Sequence, residues 1–134
     1  MLYIVLSTSF IHSVPAPVVT VTLSHSPPLY TGISLTLTCT VTLDPNVDSG
    51  VRVETEWSGL QDIPEERYSV TAASGSGSTY TGSLTISPLA YQDAGTYTCT
   101  GTVAGDFYQA NASDDISIKV NSEQPHSYIG TLKH

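Results

Sequence analysis

Asp93-Ala94-Gly95-Thr96-Tyr97-Thr98-Cys99 is the stretch whose reading decides the fold. Beyond Gly95, Tyr97, Cys99, Gly101 and Val103 share one parity, and threonines fill the other. Period two with one apolar side describes a strand with a dry face and a wet face. The same alternation is cleanest upstream, where Ile33, Leu35, Leu37, Cys39, Val41 and Leu43 oppose Ser34 and a run of threonines. Between the two, Val51, Val53, Thr55 and Trp57 point one way and Arg52, Glu54 and Glu56 the other. Weaker strands are expected at Val18–Leu23, at an edge from Arg67 to Ala72, at Tyr80–Ile86, and last at Ile116–Val120. Asp44-Pro45-Asn46, Asp48-Ser49-Gly50 and a flexible loop at Ser74–Ser78 separate them. About seven or eight short strands without helical periodicity predict an all-β Greek-key sandwich of two antiparallel sheets.

The chain has 134 residues and a mass of 14.2 kDa, enough for one domain with its own core. Only 12% of its residues are charged, against about 25% in ordinary domains. Acids outnumber bases 12 to 4, for a net charge of −8. Arg52, Arg67, Lys119 and Lys133 are scattered, so no basic patch exists for nucleic acid or an anionic membrane. Residues 1–16 hold a short apolar run, Leu2–Leu6 extended to Ile11, then Val14-Pro15-Ala16. That is the pattern of a secretory signal cleaved after Ala16, although no Lys or Arg precedes the run. It is too short to span a bilayer. The domain is expected over 17–120, with a loose polar tail over 121–134. Cys39 and Cys99 are either two thiols or one bridge, and composition leaves that open.

The D-x-G-x-Y-x-C motif ending at Cys99, with Cys39 upstream and Trp57 between, resembles the immunoglobulin superfamily over roughly residues 18–120. The resemblance implies a disulfide between Cys39 and Cys99 across two facing sheets, with the Trp57 ring packed on it. It places Tyr97 at the tyrosine corner, its hydroxyl bonded to an upstream backbone group, with Gly95 making the turn. It also pairs Arg67, at the head of its strand, with Asp93 across the bottom of the sandwich. Trp57 follows Cys39 at a long interval for this family, and little chain separates Trp57 from Arg67. The chain is therefore similar to an intermediate or constant-like sandwich with a rudimentary extra strand after Trp57, not a paired antibody variable domain. In its Ser/Thr-rich strands it is similar to invertebrate cell-adhesion and receptor-tyrosine-kinase ectodomain domains.

Catalytic chemistry has little to stand on. A nucleophile needs a base within hydrogen-bond reach. His12, His25, His126 and His134 all fall outside the expected core strands, and no HExxH, GxSxG, Walker or CxxC motif occurs. No enzyme activity and no cofactor are expected. Asp44, Asp48 and Asp106 fall at one end of such a sandwich, but hard cations want six or more oxygens, so solvated loop acids are the expectation and no metal is called.

For binding, Phe107 and Tyr108 in the last hairpin connection are the candidates, because exposed aromatics anchor interfaces at low entropic cost. Asn111-Ala112-Ser113 is an N-glycosylation sequon on a secreted chain. The resemblance implies a secreted or cell-surface recognition domain for adhesion or receptor ligand binding. Its partner would be a protein ligand or another immunoglobulin-like domain, with no insertion into the membrane by this chain. The competing reading is a structural spacer in a larger ectodomain without a ligand of its own.

Overall fold

The computed structural model describes residues 16–47, 50–105 and 109–122. Seven strands of six to ten residues build two sheets. They are β1 Val18–Leu23, β3 Leu35–Thr42, β4 Arg52–Ser58, β5 Tyr68–Ser76, β6 Thr79–Ile86, β7 Gly95–Ala104 and β8 Gln109–Ile118. One sheet runs β1-β3-β6-β5 and the other β4-β7-β8, all antiparallel. Two-residue strands β2 Leu29–Tyr30 and β9 Val120–Asn121 pair in parallel and close one side. The chain switches sheets between β3 and β4 and again between β6 and β7, which makes the sandwich.

The inward rows meet in one core. Leu35, Leu37, Cys39 and Val41 of β3 face Tyr97, Cys99 and Val103 of β7, with Leu84 and Ile86 of β6 beside them, all buried. The Cys39–Cys99 disulfide joins the sheets at a Cα–Cα distance of 6.3 Å. Trp57 lies opposite Cys99 in the β4–β7 register, on the same inward face. Space at this level is tight. A methyl group on Gly101 would come within 2.7 Å of Val41 Cγ2, and one on Gly82, which faces Cys39 in register, within 2.7 Å of Thr55 Oγ1. The bridge therefore sits between two positions that only hydrogen can fill.

Several elements differ from the sequence expectation. β5 extends through Ser76, past the loop expected from Ser74, because the hairpin to β6 turns only at Gly77-Ser78. A register shift between Thr71 and Ser74 marks a bulge there. β8 starts at Gln109 and so takes in Asn111, and Asn121 belongs to the fold through its pairing with Tyr30. No strand lies between Ser58 and Tyr68, where a rudimentary one was expected. Turns and a single 3-10 turn at Glu65–Arg67 fill that interval, and Ile63 is buried within it.

Replacing Cys39 and Cys99 together by Ala opens a loop closed over 60 positions. The expected loss is roughly 4 kcal/mol of stability, read as a fall in the urea midpoint.

Candidate interaction surfaces

At one end of the sandwich, three residues expected from the motif are brought together. Arg67 closes the 3-10 turn before β5, and Asp93 closes a second one, Tyr91–Asp93, before β7. The guanidinium grips the carboxylate with both arms: Nη1 donates to Oδ2 at 2.8 Å and Nη2 to Oδ1 at 2.9 Å. Nη1 also donates to the carbonyl of Pro88 at 3.0 Å. The Ala90 backbone N–H donates to Asp93 Oδ2 at 2.8 Å, and the Tyr97 hydroxyl donates to the Asp93 carbonyl. Gly95, between Asp93 and Tyr97, turns at φ +151°, a conformation that favours glycine.

Asp93 is 2% exposed, so burial works against its charge. The hydrogen bonds from Arg67 and Ala90, with the Arg67 charge, outweigh that cost and hold the carboxyl below the usual range. The bond to Asp93 raises Arg67 in turn. Burial pushes the Tyr97 hydroxyl up to about 12, with Asp93 adding to the shift. This cluster is a clamp holding the turn before β7 onto the head of β5.

The other sequence candidates are placed as follows. Phe107, Tyr108, Asp106, Asp48, His12, His126 and His134 lie outside the described residues. His25 is exposed, its Nδ1 hydrogen-bonded with Ser24 Oγ at 3.0 Å. The Asp44 carboxylate accepts the Asn46 N–H at 2.8 Å and so serves its own turn. Among the described residues, no group of three or more acidic, His or Cys side chains is placed to hold a metal. Asn111 is exposed on the outer face of β8, opposite Thr102 and in one row with Glu54.

The two outer faces differ sharply in charge. The β4-β7-β8 face carries Arg52, Glu54, Glu56 and Asp115, all exposed. No strand of the β1-β3-β6-β5 sheet contains a charged residue. Its outer face is Thr36, Thr38, Thr40 and Thr42 on β3, with Ser or Thr at every paired outward position of β5 and β6. Val18, Thr20 and Thr22 complete it on β1. A groove of about 520 Å³ lies beside β2 and β9, lined by Leu23, Pro27, Pro28, Leu29 and Ile118, with Lys119 at its rim. Sequence reasoning missed this groove, because it forms where the chain leaves β1 at Leu23, passes through Pro27-Pro28 and re-pairs as β2.

The clamp sets a pH window. Asp93, lowered in the fold, contributes stability above about pH 4 that is lost as pH falls through its folded value. Tyr97, raised, contributes stability below about pH 10 that is lost as pH rises through about 12. Unfolding curves across pH should show Tyr97→Phe removing the alkaline loss. Arg67→Ala should cost about 3 kcal/mol at pH 7, because it strands a buried carboxylate.

Among solved structures the chain is similar to the fourth constant immunoglobulin domain of nurse shark IgNAR, at 14% identity and a TM-score of 0.38. That match covers 77% of this chain and 96% of the shark domain. No curated protein sequence matches. The family model described as immunoglobulin domain matches residues 25–112, which take in both bridged cysteines and the tryptophan between them. On that match the chain belongs to the immunoglobulin domain family.

Proposed function

We propose that this chain is an extracellular recognition domain that docks noncovalently onto a protein ligand or another immunoglobulin-like domain, in cell adhesion or at a receptor surface. The observation that carries this reading is the Cys39–Cys99 disulfide buried at the centre of an immunoglobulin domain. Such bonds form and persist in oxidising compartments. Residues 1–16 supply the export signal in this reading. Among the described residues, no helix is long and apolar enough to cross a membrane.

The contact surface in this reading is the end of the sandwich at the connection between Gly105 and Gln109, where Phe107 and Tyr108 supply rigid aromatic contact area. Asn111 follows closely on the exposed face of β8 and would carry a glycan there. Glu54 shares its row, so the glycan would cover part of the acidic face and shield part of that end.

Expression of the full chain in a eukaryotic secretory host tests the reading in two steps. The product in the medium should begin at Pro17 and carry sugar on Asn111. Multimerised domain should bind cell surfaces, and Phe107→Ala with Tyr108→Ala should weaken that binding at least tenfold at an unchanged melting temperature. A folded domain that stays inside the cell refutes export. A secreted domain that binds no cell surface points to a spacer.

A further inference from the structure

The sandwich has four lateral edges, and three of them are guarded. β1 and β8 lie against each other, and the Val21 backbone N–H donates to the Asp114 carboxylate at 2.9 Å. The β2–β9 pair continues that seal. β4 is a bare edge, but Arg52, Glu54 and Glu56 alternate along it, and charge on an edge deters pairing. Among the described residues β5 hydrogen-bonds only to β6, touches β4 of the other sheet, and contains no charged residue from Tyr68 to Ser76. Its one defence is the bulge after Thr71, which leaves Tyr68–Thr71 as a regular, uncharged edge segment. Within it, Val70 pairs with buried Leu84, yet is itself 49% exposed.

We propose that β5 is a self-association edge, on which a second copy of this chain pairs antiparallel about Val70. The backbone of a free edge is satisfied, without water, by another extended strand. Charge leaves this edge as the approach least opposed for a second copy, and sets the direction of pairing. Two chains of net charge −8 repel over most approaches, whereas β5 and its whole sheet bring no charge to the contact. Parallel pairing would stack Glu65 and Glu66 of one copy on those of the other. Antiparallel pairing sends them to opposite ends, more than about 20 Å apart at ~3.4 Å per residue, beyond a screening length of about 8 Å.

Strand parity fixes the centre. Directly opposed residues in an antiparallel pair point to the same side of the sheet. A twofold axis at Val70 therefore sets the two half-exposed Val70 side chains against each other on the inner side. Ser69 then meets Thr71 on the outer side, so the hydroxyl-bearing face runs unbroken from one copy into the next. The pairing is short and the affinity modest. This surface is separate from the loop end assigned to recognition, so either reading can fail alone.

Sedimentation of the full chain over a concentration series is the test. The wild type should pass from monomer to dimer as concentration rises. Val70→Lys should raise the dimer dissociation constant more than tenfold without changing the melting temperature, and Val18→Lys on the guarded β1 edge should leave it unchanged. Val70→Cys should cross-link into a covalent dimer under mild oxidation, and Val18→Cys should not. A wild type that stays monomeric to millimolar concentration overturns the proposal. So does a dimer that survives Val70→Lys, or equal cross-linking at both positions.

Discussion

The bond between Cys39 and Cys99 is the constraint on which the rest of the structure depends. It ties the middle strand of the three-stranded sheet to an inner strand of the four-stranded one. Sheets packed face to face ordinarily lie about 10 Å apart, with side chains interdigitated between them. A disulfide at a 6.3 Å Cα–Cα distance draws them closer than that locally. The residues around it fit this need. Gly82 and Gly101 have no side chain at the level of the bridge, and a methyl on either would collide. Trp57, in register with Cys99, supplies bulk on the same inward face. Valines 19 and 41 close over Gly101 from the other sheet. Removal of the bridge would leave a core shaped for an object no longer there.

The second fixed point is the clamp at the end of the sandwich, and it solves a different problem. The chain must leave β6, cross to the other sheet and enter β7 within a few residues. Asp93 sits at this crossing with its carboxylate buried, a costly placement unless the charge is paired and hydrogen-bonded. Two guanidinium N–H groups and the Ala90 N–H bond its two oxygens. The Tyr97 hydroxyl takes the backbone carbonyl of the same residue. A side chain from the head of β5 and one from β7 are thereby locked to one turn. The chain has two arginines, and the one at this position is partly buried while Arg52 is exposed, making a long 3.9 Å contact with Glu54.

Much of this was legible in the residues, and the limits have physical causes. Strands whose two faces meet different media advertise themselves by alternation. β3, β4 and β7 were read with their correct inward residues, including Cys39, Trp57, Tyr97 and Cys99. β5 was truncated because it is exposed along almost its whole length. With no dry face there is no alternation, and Ser74-Gly75-Ser76 looks like a linker when only its pairing with Thr79–Thr81 makes it a strand. The start of β8 was missed for a related reason, since Gln109, Asn111 and Ser113 face water and Ala110 and Ala112 are too small to signal burial. Ile63 and Leu89 enter the core from turns, where periodicity has no meaning. The Arg67–Asp93 pairing was reached through the family pattern, whereas the roles of the Pro88 carbonyl and the Ala90 N–H are backbone contacts that no side-chain pattern encodes.

Charge is segregated between the two sheets. Low overall charge could have been spread evenly, yet the four-stranded sheet has none and the three-stranded sheet carries both signs on its edges. A face of threonine and serine keeps strand propensity high and stays wettable without charge. It also removes the usual electrostatic guard from the strands that bear it, and solubility then depends on charge placed elsewhere. β1 regains a guard from Asp114 on the opposite sheet. Among the described residues β5 touches β4 but receives no such carboxylate, and the interval after β4 folds into turns instead of a further strand. The short link between Trp57 and Arg67 thus has a consequence beyond strand count: it adds no strand over Val70, which stays half-exposed. An immunoglobulin sandwich with a longer insertion there would bury that lip within its own chain.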